Sequence, residues 1–308
     1  MIPGEMETID SKDGGGAAAI LTFTALCAFA ANSLLGRLAL GSGSIDAASY
    51  ASVRLLAGAA VLVPMAFRRA GRPSGSWGSA AMLFAYSVPF AFAYRTLSAG
   101  TGALILFAAV QITMISAGLR SGERPGAVQW LGLALAFSGL AYLVSPGLAA
   151  PSPAGAGLMA VAGIAWGAYS LRGRRAERPL AETAGNFGRA LLLAALVSAA
   201  SSGSAHGTFR GIALAALSGG VASGVGYAIW YSALPRLTAT AAATVQLAVP
   251  VLAAAGGVAL LGERVTGRLV LASIAILGGV GLALAFRGKS SPAPAPLPAG
   301  PAGGRAGE

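Results

Sequence analysis

Successive apolar runs, each long enough to cross a membrane, dominate this chain and limit what it can fold into. A helix needs roughly 20 apolar residues to span the hydrocarbon core, and about ten such runs fit in 308 residues. Only helices and closed barrels satisfy their backbone in lipid, and these runs do not alternate as barrel strands do. We therefore predict an all-α polytopic membrane protein with ten transmembrane helices. The predicted spans are 17–38, 46–67, 77–97, 100–120, 126–145, 155–173, 183–201, 210–233, 238–261 and 267–287.

The net charge of +11 is explained by membrane topology better than by nucleic-acid binding. If the N-terminus is cytoplasmic, fourteen basic residues fall on the inner side and five on the outer side. Both termini are therefore expected in the cytoplasm. The abundance of Ala, Gly and Arg indicates a bacterial source, and hence the inner membrane. We expect a monomer in the lipid bilayer with no nucleic-acid partner.

The two ends of the chain differ from the apolar spans. Residues 1–16 are polar and acidic, unlike the basic start of a signal peptide, and are expected to form a cytoplasmic tail. Residues 288–308 are rich in Pro, Ala and Gly and are expected to be disordered. The lone Cys27 excludes an internal disulfide and a cysteine metal cluster. No cofactor or metal is expected.

The first half of the chain is related to the second half by matches in the same order. They pair 29–37 with 166–174, Arg54 with Arg189, Tyr94 with Tyr231, Gln111 with Gln246 and 122–124 with 262–264, at offsets of 135 to 140. The repeat units are 17–145 and 155–287, of five helices each. Because five is odd, the second unit enters the membrane from the opposite side. This is the inverted-repeat plan of secondary transporters, which places a site near the midplane between the halves.

The chain resembles the EamA-type drug/metabolite transporter superfamily over nearly all of residues 17–287. The resemblance rests on the ten spans and on three motifs. These are Gly-Glu-Arg at the start of the fifth and tenth spans, Arg54 in the second span, and Tyr94-x-x-Leu97 at the end of the third. Residues 226–230 and the pair Trp166 and Tyr169 are similar to YddG-type amino-acid exporters. The resemblance implies a helical basket with a central cavity that moves amino acids or related metabolites outward by alternating access.

The halves depart from each other at one place. Gln111 precedes Glu123 by 12 residues, whereas Gln246 precedes Glu263 by 17. A residue-for-residue correspondence is therefore not expected there.

Catalytic chemistry is not expected, because no span holds a paired carboxylate or a recognisable nucleophile motif. The one histidine, His206, falls in a loop. All ten carboxylates fall in tails, loops or helix ends, which argues against a cation–proton antiporter with a membrane carboxylate. Facilitated movement down a gradient, or coupling that does not use a membrane carboxylate, is favoured instead. Glu123 and Glu263 are interpreted as helix-capping residues.

Candidate substrate-binding residues combine aromatic rings with uncharged polar groups. Rings pack apolar groups or accept a cation over the face, and amides bind amino and carboxylate groups. The residues are Asn32, Ser33, Tyr86, Tyr94, Gln111, Trp166, Tyr169, Tyr227, Trp230 and Gln246, with Tyr231 beside them. The rings could instead form an interfacial belt, and the amides could join helices. Whether Arg54 and Arg189 are functional or snorkel to the surface also stays open.

Three hinge positions follow from backbone chemistry. Pro89 and Pro250 each remove a helix hydrogen bond, that of Pro250 being to the carbonyl of Gln246. Gly226 aligns with Pro89 in the repeat and follows three further glycines, at 219, 220 and 224. We predict bending at all three positions.

The preferred function is that of a carrier exporting neutral and aromatic amino acids and related small metabolites. A broad drug or nucleotide-sugar carrier is one alternative, and a structural or lipid-handling membrane protein is another. A water-accessible cavity of several hundred Å³ between the rings would favour a carrier, and dry packing would favour the structural protein.

Overall fold

The computed structural model describes residues 10–120, 126–147, 150–174, 176–233 and 245–286. This part of the chain folds into ten helices and no strand, which confirms the predicted fold class. The helices are α1 Asp10–Gly41, α2 Ala47–Arg69, α3 Trp77–Ala93, α4 Ala99–Arg120, α5 Ala127–Val144, α6 Pro153–Gly173, α7 Pro179–Ala200, α8 Phe209–Ala233, α9 Ala248–Leu261 and α10 Gly267–Ala285. Eight are long and apolar enough to cross a membrane, whereas α3 and α9 are shorter.

Several helix boundaries are set by local hydrogen bonds. Asp46, Ser76 and Thr266 each cap the helix that follows by accepting a backbone N–H three residues on. α3 ends at Ala93 and not at 97 as predicted, because a turn forms in which Thr96 N–H donates to the Ala93 carbonyl (3.1 Å). That turn leaves room for α4 to begin at residue 99.

Helix α8 contains a π-helical segment, Ser218–Val225, between two α-helical parts. The segment packs against the backbone of α2. A Cβ placed on Gly219 would lie 2.8 Å from Arg54 Cα, so only glycine allows this approach. π-Helical segments inside helices often mark functional sites, and this one lies where the two halves of the chain meet.

The helices pack in pairs that follow the predicted duplication. α2 packs on α7, α4 on α9 and α5 on α10, each helix meeting its counterpart in the other half. α6 contacts α3 and α4, and its counterpart α1 contacts α8 and α9. These contacts are those expected if a two-fold axis relates the halves. The repeat bounds themselves stay a prediction.

Parts of the predictions fall outside the described residues. They are residues 1–9, Glu123 and 287–308, so that one proposed cap, the C-terminal tail and the first nine residues of the N-terminal tail are not tested. α1 begins at Asp10 and not at residue 17. The ninth predicted span began at 238, but 234–244 are not described and α9 begins at Ala248.

Candidate functional site

A continuous cluster of aromatic rings lies where α1, α3, α6, α7 and α8 meet. Trp166 of α6 is at its centre, with ring centroids 5.0 Å from Tyr86, 5.1 Å from Tyr227 and 5.6 Å from Tyr169. The Trp166 and Tyr169 rings are stacked, one helical turn apart. Tyr86, Tyr169 and Tyr227 are at most 5% exposed, and Trp166 is half-buried. The structure thus joins candidate rings from three helices in one cluster.

Three phenylalanines that the sequence reading missed complete this cluster. Phe29 meets Tyr227 and Trp230 edge-on at 5.9 and 5.8 Å, and Phe187 meets Tyr227 at 5.9 Å. Phe90 bridges Tyr86 and Tyr94 on α3. Its position four residues from each tyrosine was a usable signal. Phe29 and Phe187 carried no such signal, because a phenylalanine in an apolar helix is indistinguishable from core.

A buried polar network lies beside the rings. Asn32 Oδ1 accepts hydrogen bonds from Ser218 Oγ (2.8 Å) and Ser223 Oγ (3.2 Å). The two serines are five residues apart, the spacing that the hydrogen bonds of a π-helix join, and both hydroxyls reach the same amide oxygen. Arg54 Nη2 donates to Ser223 Oγ (3.2 Å) and to Tyr86 Oη (2.8 Å). The network therefore ties α1, α2, α3 and α8 together.

A small cavity of about 20 Å³ lies between the rings and this network. Such a volume holds about one water molecule. Its lining consists of Phe29, Asn32, Ser33, Tyr86, Phe90, Leu106, Phe107, Trp166 and Tyr227. Five of the predicted binding residues, Asn32, Ser33, Tyr86, Trp166 and Tyr227, are thus brought to one cavity. The expected volume of several hundred Å³ is not present between the rings in this conformation, so the cavity size taken alone favours the structural alternative.

The other predicted binding residues lie elsewhere. Trp230 packs behind Phe29, and Tyr94 lies at the C-cap of α3, where its Oη donates to the Ala99 carbonyl (3.4 Å). Gln111 is buried in α4 and Gln246 lies in a turn before α9, and neither lines the cavity. Tyr169 is close to Trp166 but faces a second group of polar residues.

That second group joins α6 and α7 to the loop before α3, at what we call the Asn186 end. Asn186 Nδ2 donates to Tyr169 Oη (3.4 Å), and its Oδ1 accepts from Ser76 N–H (3.0 Å). Arg189 Nη1 donates to the Ser74 carbonyl (2.7 Å). Asn186 was not predicted as a site residue. These bonds hold α6, α7 and the segment before α3 together at this end of the helix basket.

At the opposite end, which we call the Glu263 end, a carboxylate joins the two halves of the chain. Glu263 accepts from the Ala99 N–H with Oε1 (3.0 Å) and Oε2 (2.9 Å), and its Oε1 lies 3.3 Å from Arg37 Nε. Glu263 therefore caps α4 of the other half and not the start of α10. The N-terminal dipole of α4 favours a negative charge there. Polar contacts thus join the described helices at both ends, on either side of the small central cavity.

The predicted hinge positions have distinct surroundings. Pro89 lies inside α3. Gly226 directly follows the π-helical segment of α8. The carbonyl of Gln246, to which Pro250 cannot donate, instead accepts from Val249 N–H (3.1 Å). Pro250 is then the third residue of α9, within the first turn, where proline is tolerated. The hinge roles stay predictions.

A larger cavity of about 440 Å³ lies between α4, α9 and α10. Apolar side chains such as Val251, Val258 and Ile274 line it, and these are more than 40% exposed on the lipid-facing side. Specific recognition of a metabolite needs several convergent polar groups. This groove provides almost none, so the aromatic cavity is the better candidate site.

Comparison with known proteins agrees with this architecture. Uncharacterized protein PA1977 of Pseudomonas aeruginosa is 52% identical over 271 residues, which cover 87% of this chain and 94% of that protein. A solved crystal structure is similar with a TM-score of 0.64 at 19% identity, covering 88% of this chain and 98% of that chain, which shows a shared fold. The family model of the EamA-like transporter family matches residues 16–145 and 153–285, a match in each half. The chain therefore belongs to the EamA-like transporter family.

Proposed function

We propose that this membrane carrier exports amino acids, including neutral and aromatic ones, and related small metabolites by alternating access. The observation that carries the proposal is the central cavity, walled by aromatic rings on one side and by amide and hydroxyl groups on the other. Trp166, Tyr86 and Tyr227 offer apolar faces for a side chain and electron-rich faces for an ammonium group. Asn32 and Ser33 offer hydrogen bonds without charge.

Tight packing of the rings taken alone would favour a structural protein, but membership of a transporter family favours a carrier. The closed cavity then corresponds to one step of its cycle. Pockets for small ligands typically measure about 300–1,000 Å³, so a substrate enters only after the helices around the rings separate. The bonds of Glu263 hold one end and those of Asn186 hold the other. Releasing one set at a time would open the cavity to one side of the membrane. The basic residues favour the Asn186 end as the cytoplasmic one.

Transport by purified protein tests this proposal. We expect proteoliposomes containing the full chain to take up labelled tryptophan, phenylalanine or leucine faster than protein-free liposomes. Because all the carboxylates lie outside the membrane interior, a pH gradient should change the rate little. No transport of any amino acid would refute the substrate proposal. Uptake of cationic drugs or nucleotide sugars instead would support the broad-specificity carrier.

The proposed location is a bacterial inner membrane with both termini in the cytoplasm. Its support is the excess of basic residues on one side. A reporter enzyme that works only in the cytoplasm should be active when fused after residue 308, and one that works only in the periplasm should be inactive there. Activity of a periplasmic reporter at the same position would reverse the assigned orientation.

A further inference from the structure

Arg54 stands out as a buried guanidinium whose hydrogen-bonding capacity is only partly used. It is 2% exposed, in the interior part of α2. Nη2 donates to Tyr86 Oη and Ser223 Oγ, whereas the buried Nη1 has no hydrogen-bond partner among the described residues. A buried donor without a partner is costly, and a native protein retains one for a reason.

The positive charge of Arg54 also has no carboxylate partner among the residues that the structure describes. The ten carboxylates fall in tails, loops or helix ends, and Arg37–Glu263 is the ion pair found in the described part of the chain. Instead, the guanidinium carbon lies 4.9 Å from the centroid of the Tyr86 ring and 4.7 Å from that of Phe90. Aromatic faces stabilise a cation but do not neutralise it. An ionised residue inside a membrane protein usually marks a substrate or ion path.

The repeat-related Arg189 shows the contrast. Its Nη1 donates to the carbonyls of Ser74 (2.7 Å) and Gly185 (3.0 Å), and its side chain is half-buried. Arg189 is thus engaged with backbone at one end of the basket. Arg54 lies in the interior and retains an unused donor.

Arg54 is separated from the cavity by one aromatic layer. Both rings over which its guanidinium lies, Tyr86 and Phe90, line the cavity. Tyr86 also contacts Trp166 of the cavity wall, with ring centroids 5.0 Å apart. A rotation of the Tyr86 side chain away from Arg54 would therefore bring the guanidinium to the cavity.

We propose that Arg54 binds the carboxylate of the transported substrate, and that the Tyr86 side chain rotates away from Arg54 as the substrate enters. A guanidinium binds a carboxylate through two parallel N–H hydrogen bonds. Such a pair would give Nη1 an acceptor and would neutralise the positive charge of Arg54. The identity of the substrate as an amino acid rests on the proposed function, whereas the requirement for a carboxylate rests on Arg54. The substrate class narrows accordingly to amphipathic carboxylates.

A purely structural role for Arg54 makes a different prediction. Its two Nη2 bonds join α2 to α3 and α8, and a residue needed only for that junction would affect acids and uncharged ligands alike. A carboxylate-binding residue would affect only the preference for the acid. This difference can be measured.

The experiment compares acid and amide forms of one ligand by thermal-shift titration of the purified full chain. The probes are 3-phenylpropionate with 3-phenylpropionamide, and L-phenylalanine with L-phenylalaninamide. We expect the wild type to bind each acid at least about tenfold more tightly than its amide. Arg54→Gln should reduce that ratio to within about twofold, and Arg54→Lys should keep part of it because the charge persists. Arg189→Gln is the matched control and should keep the wild-type ratio.

Each outcome decides the proposal. Equal binding of acid and amide by the wild type overturns it without any variant having to fold, and so does the absence of binding by every carboxylate. A ratio that Arg54→Gln leaves unchanged also overturns it. If 3-phenylpropionate shows the Arg54-dependent preference but no amino acid is transported, the carboxylate site stands and the amino-acid proposal fails. If amino acids and their amides are transported equally, the amino-acid proposal stands and the carboxylate site at Arg54 fails.

Discussion

The close approach of α8 to α2 at Gly219 offers a sharp test of how the two halves meet. In Gly219→Ala the new Cβ would lie 2.7 and 2.8 Å from the carbonyl carbon and Cα of Arg54, where ordinary contact begins at 3.4 Å. The carbonyl oxygen of Arg54 lies closer still to the new Cβ, and neither backbone can yield as a flexible side chain does. The helices must therefore separate by more than the several tenths of an ångström that the two carbon contacts require. Such overpacking typically costs about 1–3 kcal/mol.

The adjacent glycine provides a matched control within the same π-helical segment. A Cβ on Gly220 would meet Val61 Cγ2 at 3.4 Å, an ordinary contact. Replacing a helical glycine by alanine otherwise gains up to about 1 kcal/mol. We therefore expect Gly220→Ala to be neutral or stabilising and Gly219→Ala to be destabilising, although both positions are buried.

The assay heats each purified variant over a range of temperatures. Size-exclusion chromatography then measures how much protein stays monodisperse after heating, which gives an apparent melting temperature. Gly219→Ala should lower the apparent melting temperature by several degrees relative to Gly220→Ala, on the scale of about 2–4 °C per kcal/mol. Equal melting temperatures for the two variants would refute the described contact between α2 and α8.

Three further predictions concern the cavity and the two ends of the basket. Trp166→Ala should lower amino-acid transport roughly tenfold with folding retained, whereas Trp130→Ala, 53% exposed, should leave transport unchanged; equal effects would contradict the site. Glu263→Gln removes the ion pair with Arg37, a partly exposed pair worth less than about 1 kcal/mol, and should modestly raise hydrogen exchange at 95–101 but not at 74–79. Burial alone would raise the pKa of Asp46, but hydrogen bonds from backbone N–H groups lower that pKa on balance. The ionised carboxylate should therefore make the wild type more stable than Asp46→Asn at neutral pH. This difference in stability should disappear as the pH falls below 3.8. A difference in melting temperature that persists in acid would contradict this assignment.

Only part of the candidate site could be predicted from the sequence. Asn32, Ser33, Tyr86, Trp166 and Tyr227 were identified because polar or amphipathic groups are unusual inside apolar spans, and the structure brings all five to one cavity. Gln111 and Gln246 satisfied the same criterion and lie elsewhere. Composition identifies residues that need a polar partner, but it does not state which partner they have.

The sequence by itself determined the fold class, because lipid leaves the backbone few options and the lengths of the apolar runs count the helices. It also predicted a duplication. The tertiary structure decided the rest, since the decisive contacts join distant positions. Asn32 meets Ser223 only because a π-helical turn aligns two serines, and Glu263 caps α4 because the halves interlock at Ala99. The unused donor of Arg54 exists only in three dimensions, where burial separates it from every carboxylate of the described chain.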